Sequence, residues 1–485
     1  MDKKNKYALI LGAGPCGLAL AYELIALNSQ IKPIIIEKLP VTGGLARTVY
    51  DGKSGIDIGG HRFFTKNKYI IGILEKFLTL QNAPSVDDFL AHRNLKYPKT
   101  GADPNFRDDV LLIRKRFSSI LKNKKQFQYP LRLNFKTFQK LGLIGSVCSL
   151  FSYFKALILK KTPNNVENFL INRFGAYLYN IFFKEHTKKI WGVDASEICN
   201  NWEKNRIQRS LIAPPKLWED EYYYPKYGCS QLWDKMAKYI LDNGGDILLN
   251  TEFLEFNTNA DKIISARVKQ GDLIKEINAD YFISTIAISD LIKGLDAPYD
   301  IKQHALNLPY RDYILVSFFS EKFNLKNNTK YPTINDIAPD NWIYLQEKDT
   351  IASRMQIMNN WSPYLVENFK NSYLISLEYF CNQNDELWNL SDDEIVKLAL
   401  SECERYNFFD RYSVTKTKVI RQLKAYPAYF GSYKYIDKIK NYLKNYSNLY
   451  LSGRNGEHKY INMDYAMVCG INIARDINEG YENEK

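Results

Sequence analysis

Three glycines and one acid carry the first chemical signal. Gly12, Gly14 and Gly17 stand in the run Gly-Ala-Gly-Pro-Cys-Gly, and Glu37 follows twenty residues after the last of them. Gly12 permits a tight turn, Gly14 lets the backbone approach a pyrophosphate, and Gly17 lets a helix pack closely on a strand. A helix N-terminus placed there attracts phosphate charge, and Glu37 can accept hydrogen bonds from a ribose. The implied task is capture of a dinucleotide. Two further glycine pairs follow, in Thr42-Gly43-Gly44-Leu45-Ala46-Arg47 and in Asp57-Ile58-Gly59-Gly60-His61. Such pairs bring backbone amides close to a bound group, and Arg47 can neutralise a phosphate. The reaction itself has no obvious protein nucleophile or metal. His61, His92, His186, His304 and His458 are scattered without ligand spacing, and no Ser-His-Asp elbow is present. No metal is expected, and the chemistry is expected to be a cofactor's, with the protein supplying position and electrostatics.

The elements around these residues read as a βαβ unit. An apolar run at Tyr7–Leu11 leads into the glycines, a helical pattern follows, and a second apolar run at Ile34–Ile36 delivers Glu37. From about 70 to 220 the pattern suggests helices. A strand is expected near Tyr222–Gly228, a helix at Gln231–Leu241, and strands at Ile247–Leu249 and Tyr281–Thr285. Further strand candidates are Tyr313–Phe319, Trp342–Leu345 and Tyr373–Tyr379, and the chain closes with a strand at Leu449–Leu451 and a helix at Met463–Ile477. The expected class is α/β with α+β insertions: a Rossmann-like nucleotide-binding domain assembled from 1–70, 220–295 and 420–485, a helical insert over 71–219, and a mixed or antiparallel sheet domain over 296–419 that roofs the cofactor.

Length and composition agree with two or three domains, since 485 residues exceed one ordinary core and 45% apolar with 25% charged residues is globular. The charged N-terminus runs straight into the first strand, so no signal peptide is expected. Seven cysteines without paired spacing fit a reducing cytoplasm, and Cys16 reads as a small packing residue. The net charge of +12 concentrates in the basic stretch 114–161, which encloses the apolar run Leu141–Phe154. No nucleic-acid motif accompanies it. Fourteen apolar residues are too few to span a bilayer. The favoured expectation is a buried helix with solvated basic flanks; the alternative is a weak contact through 114–161 with an anionic membrane surface, peripheral to its inner face.

The segments GAGPCGLALAYEL, IIIEK, TGGLART and DIGGHRFF resemble the FAD-binding segments of the amine-oxidase-like flavoproteins, a superfamily that includes protoporphyrinogen oxidase, phytoene desaturase and UDP-galactopyranose mutase. Three further segments are similar to the mutase group: Phe182–Gly192 followed by Arg206 and Arg209, Arg354–Pro363, and Gly453–Asp464. Tyr426-Pro427 and Phe127–Phe138 also have mutase-like counterparts. The resemblance implies FAD, held by Gly12, Gly14, Gly17, Glu37, Lys38, Gly44, Leu45, Ala46, Arg47, Gly59, Gly60, His61, Gly453, Arg454, Asn462 and Met463. It implies a nucleotide-sugar substrate met by Trp191, Arg206, Arg209, Arg354, Tyr426, Arg454 and Tyr460. His61, Arg354, Tyr426 and Tyr460 would surround the reacting centre, with the reduced flavin as the nucleophile and NAD(P)H as one conceivable reductant. The implied activity is pyranose–furanose interconversion for cell-surface polysaccharide synthesis. The same FAD segments serve a second reading, an amine-oxidase or protoporphyrinogen-oxidase-like oxidoreductase.

Overall fold

The computed structural model describes residues 6–131, 134–199 and 221–483. At its centre lies a five-stranded parallel sheet, in the order Asp246–Leu248, Ile31–Ile36, Lys6–Leu11, Tyr281–Ser284 and Leu449–Leu451. Its middle strand is apolar on both faces because both are covered, and Ala8, Leu9 and Ile10 have no exposure. The helix Pro15–Ala26 begins directly after the glycines, with proline at its first turn where no amide partner is needed. It packs against the closing helix Met463–Asn483 at very short range: a Cβ on Gly470 would sit 2.2 Å from the Cys16 carbonyl oxygen. The three chain segments that the sequence assigns to nucleotide binding all contribute strands to this sheet.

A second, seven-stranded sheet runs Val414–Pro427, Tyr310–Ser320, Tyr373–Cys381, Arg354–Ile357, Trp342–Leu345, Ser118–Lys122 and Lys125–Gln128. Its pairs are antiparallel except that Trp342–Leu345 lies parallel to Ser118–Lys122. Side chains alternate across it. Ile375, Leu377 and Tyr379 face an apolar core that also holds Ile395, Ala399 and Cys403 of the helix Asp392–Arg405. Leu374, Phe380 and Tyr313 belong to the core shared with the nucleotide sheet, and on that same face stand Ser376 and Glu378.

Two expectations differ from the structure, and one element has no counterpart among them. The stretch 71–219 is not helical throughout: Val110–Lys115 pairs with Glu221–Pro225, and Ser118–Lys122 with Lys125–Gln128 extends the seven-stranded sheet, beside the helices Lys68–Phe77, Phe135–Ile158, Val166–Phe182 and Lys184–Trp191. A three-stranded meander, Thr251–Asn259, Lys262–Gln270 and Leu273–Asn278, fills a stretch in which the sequence suggests nothing. Its strands mix charged and apolar residues on a half-exposed sheet, which blurs the period of two. The apolar helix Phe135–Ile158 is not buried, since only 17% of its most apolar window lies inside the protein.

Candidate functional site

The glycine turn behaves as its spacing requires. Gly12 has a φ of +107°, and a side chain there would meet Thr285 Oγ1 at 2.4 Å. A Cβ on Gly17 would stand 2.1 Å from the Gly12 carbonyl oxygen, so the first helical turn rests on the preceding loop. Gly14 differs from both: its backbone is extended, and a Cβ there would meet nothing within 4 Å. The protein leaves open the position from which a pyrophosphate would be approached. Above it lies the second glycine pair, with the Gly43 amide donating to the Ala13 carbonyl at 2.9 Å and Gly44, at φ +52°, lying over Gly14. Glu37 ends its strand with both oxygens engaged by backbone, accepting from the amides of Ala13 and Leu39, each at 2.9 Å. It holds the turn in place, and each oxygen keeps a lone pair for a ribose hydroxyl. Lys38 points away, into an exposed ion pair with Glu252 at 2.6 Å.

Beyond the turn the cleft narrows to a small cavity lined by Leu45, Ile58, His61, Tyr313, Gln422, Ala425, Tyr426 and Arg454. Arg47 donates to the Gly44 carbonyl and to Gln422 Oε1, both at 2.8 Å. Gly453, at φ +78°, brings its segment against the fingerprint helix, where a Cβ would meet the Cys16 side chain at 2.9 Å. Cys16 is fully enclosed, donates to Ser452 Oγ at 3.2 Å, and has its thiol pushed up to about 12 by burial, as suits a packing residue. Arg454 then lies over two stacked tyrosines, 4.8 Å from the Tyr426 ring and 4.2 Å from the Tyr460 ring. Those rings are 5.2 Å apart and nearly parallel. Asn462 and Met463 begin the closing helix, the Asn462 carbonyl accepting from the Ala466 amide at 2.9 Å.

Charge distinguishes this end of the cleft. Among the described residues, Arg47, Arg62 and Arg454 have no carboxylate partner, and the Arg454 and Arg62 Nε atoms are buried without an acceptor. Arg62 lies 4.1 Å over the Trp342 ring, and burial together with nearby Arg116 lowers its pKa to about 9. His61 sits among Arg454, Arg354, Arg47 and Arg62; burial first, and then these four charges, press its pKa down to about 3. It is therefore a neutral imidazole near pH 7, with its Nδ1 unpartnered.

Arg354 occupies a different position from the one the sequence suggests. It is register partner to Glu378 on the neighbouring strand and forms a buried ion pair with it through Nε, while another guanidinium nitrogen donates to Tyr426 Oη at 2.9 Å. Glu378 also accepts from Gln356 Nε2 at 2.7 Å. Arg354 thus orients Tyr426, and its charge is already answered within the protein. Trp191 likewise departs from its expected role: it is 3% exposed, edge-on to Tyr429 at 6.3 Å, and belongs to the core. Arg206 and Arg209 lie outside the described residues. Glu378, Gln422, Tyr313 and Arg62 belong to the site without having been singled out in the sequence; the available signal was the alternation Ser376-Leu377-Glu378, two polar residues on one face of an otherwise apolar strand.

The open Gly14 cradle, the glycine pair above it and the orphaned arginine nitrogens fit an extended dinucleotide carrying a ring system at its far end. The family profile for flavin-containing amine oxidoreductases matches residues 15–478. The chain belongs to this family. The likeness in fold extends over its full length: a reduced UDP-galactopyranose mutase superposes with a TM-score of 0.75 at 17% identity, covering 97% of this chain and 95% of the other. A putative protoporphyrinogen oxidase from Exiguobacterium sp. 255-15 gives 0.67 at 14%, covering 98% and 99%. Putrescine oxidase bound to putrescine gives 0.59 at 14%, covering 97% and 98%. The protein is thus a flavoenzyme of the amine oxidoreductase family with an FAD-type site, and its neighbours include both a mutase and oxidases.

Proposed function

We propose that this flavoprotein interconverts the pyranose and furanose forms of a nucleotide-linked sugar, in the manner of a UDP-galactopyranose mutase. The observation that carries this reading is the sign of the cleft. Arg47, Arg62 and Arg454 converge on its far end without carboxylate partners among the described residues, and Glu378, the acid on the cleft-side face of the roofing strands, is paired to Arg354. Such a field raises the local concentration of an anion and repels a protonated amine, the ground state of an amine-oxidase substrate. A nucleoside diphosphate carries the matching charge, and guanidinium groups bind phosphate bidentately. The stacked Tyr426 and Tyr460 rings offer an aromatic face beside Arg454, with the Tyr426 hydroxyl fixed by Arg354. The glycine turn and Glu37 would hold the adenosine diphosphate portion of FAD, and Arg47, the Gly59–His61 loop and Arg454 would border its ring. A reduced flavin held there supplies a nucleophile that no side chain of the cleft provides. His61, kept neutral, adds no proton-transfer step near pH 7. Cytoplasmic placement, a furanose product destined for surface polysaccharide and reduction by NAD(P)H complete the proposal.

The experiment pairs an anaerobic assay of the dithionite-reduced holoprotein with an aerobic assay of the oxidised holoprotein. Anaerobic incubation with UDP-galactopyranose and other nucleotide sugars, followed by chromatography, is expected to yield the furanose form without net oxidation. Hydrogen peroxide production with an amine or another reduced substrate, and no nucleotide-sugar conversion, would establish the oxidoreductase reading instead.

A further inference from the structure

The helix Phe135–Ile158 is built inside out for a water-soluble protein. Its large apolar residues face outwards: Leu143 is 83% exposed, Ile144 79%, Phe151 75% and Ile158 80%. Together with Val147 and Phe154 they recur at three- and four-residue intervals, so they form one continuous stripe along a single helical face. Beyond Thr137 in the first turn, the buried residues are the small ones, Gly145, Ser149 and Ala156. They face the helix Val166–Phe182, where a Cβ on Gly175 would come within 2.7 Å of the Ser152 carbonyl carbon. Small residues at a close helix crossing with large aliphatic ones outside is the arrangement of helices packed within lipid. An uncovered stripe of this size marks an interaction surface.

The surrounding charge identifies the partner. Residues 110–166 contain twelve lysines and arginines and no aspartate or glutamate. Among them Lys136, Lys155, Lys160 and Lys161 are exposed at the two ends of the helix. A protein partner with an apolar groove would account for the stripe alone; an anionic bilayer accounts for both the stripe and its basic ends. The geometry points to docking of this helix into the surface of an anionic phospholipid membrane, with the apolar stripe among the acyl chains and the lysines at the headgroups. The helix lies in the surface and does not cross it. By length and composition alone the 24-residue helix could cross a bilayer, but Lys155 interrupts its apolar stretch about 22 Å beyond Lys140 at the α-helical rise. Both ends are held to the protein: Lys125 Nζ donates to the Lys140 carbonyl at 2.8 Å near one end, and past the other the Val166 amide donates to the Ile198 carbonyl at 3.1 Å. An interfacial helix of this kind buries its apolar face about 5–10 Å deep and draws further affinity from anionic lipid.

Flotation of the full-length holoprotein with vesicles tests this, comparing phosphatidylcholine alone with phosphatidylcholine mixed with phosphatidylglycerol. Binding is expected only with phosphatidylglycerol and is expected to weaken as salt rises. Ile144→Glu combined with Phe151→Glu should abolish flotation while the flavin absorbance of the purified protein is retained, because neither side chain contacts the core. Lys155→Ala with Lys160→Ala and Lys161→Ala should weaken binding by at least about tenfold, as expected for losing several near-surface cations. Absence of flotation with either vesicle would overturn the proposal, as would equal flotation with both. A concentration-dependent dimer, dissolved by the same glutamate substitutions and indifferent to lipid, would assign the stripe to a second copy of the chain.

Discussion

The two ends of the flavin cleft are made specific by different physics. At the fingerprint end the constraint is steric: Gly12 and Gly17 have protein atoms 2.4 and 2.1 Å from where a Cβ would be. At the arginine end the backbone leaves room, and the constraint is electrostatic: guanidinium groups without ion-pair partners among the described residues, a neutral imidazole and the buried Glu378 carboxylate tied to Arg354. The first kind of constraint acts between residues close in sequence and is recorded as residue type at fixed spacing. The second is assembled across sheet register. Arg354 meets Glu378 because their strands pair, and Arg454 reaches Tyr426 because the last parallel strand delivers it beside the end of Val414–Pro427.

The largest loss is expected at Gly17. Gly17→Ala drives a methyl into the Gly12 carbonyl, backbone against backbone, and no side chain can yield. A loss of about 4 kcal/mol or more is expected, in the range reserved for strained or overpacked cores, measured by urea unfolding of the apoprotein or seen as failure to accumulate soluble protein. Near-normal stability would mean that the turn is looser than its contacts indicate.

At the other end the largest effect belongs to Glu378. Glu378→Gln leaves the Arg354 charge buried without its partner, and about 3–5 kcal/mol of stability should be lost. Replacing both together, Glu378→Gln with Arg354→Met, should recover part of this loss, because the uncompensated charge is then gone. If the single and double variants are equally destabilised, packing outweighs charge at this end too.

Much of the nucleotide sheet was legible for the steric reason just given. Its strands are short apolar runs, its helix begins at a proline after glycines, and Glu37 stands at a strand end. The roofing sheet was legible as strands but not as a site. Glu378 is an acid with 1% exposure, and nothing local distinguishes a buried acid from a solvated one; its partner stands 24 residues away in sequence and becomes adjacent only through register. The sequence marks Arg354 as a candidate for phosphate but not its pairing with Glu378, since an arginine's counter-ion is a tertiary fact. The helix Phe135–Ile158 was recognised as apolar and expected to be buried, because composition records how much apolar surface a helix has and not whether a neighbour covers it. Here the covering falls on Gly145, Ser149 and Ala156, and the large side chains remain outside.

An intermediate effect should appear at His61. Its folded pKa of about 3 lies below the ordinary value near 6.5. Between those limits the unfolded chain binds the extra proton, so stability is complete above about pH 6.5 and falls as pH drops toward 3. At pH 5 the loss from this one residue is about 2 kcal/mol. His61→Gln cannot titrate, and its thermal midpoint should fall less than that of the native apoprotein between pH 7 and pH 5. Equal falls in the two proteins would show that burial and the surrounding arginines do not hold the imidazole neutral.

The smallest effect on stability is expected at Gly14, where it also separates folding from binding most cleanly. Its φ of −78° is open to any L-residue, and a methyl there meets no protein atom within 4 Å. Gly14→Ala should therefore leave the apoprotein within about 0.5 kcal/mol of the native chain, or slightly more stable through reduced chain entropy. The same methyl would stand where the FAD pyrophosphate must approach the backbone. Flavin titration of the variant apoprotein should show a dissociation constant raised by at least about tenfold, the equivalent of ~1.4 kcal/mol. Gly17→Ala and Gly14→Ala would then both yield protein poor in flavin, but only the first through the fold. If Gly14→Ala binds FAD as the native chain does, the empty space above Gly14 is not the path of the pyrophosphate, and the steric reading holds only for Gly12 and Gly17.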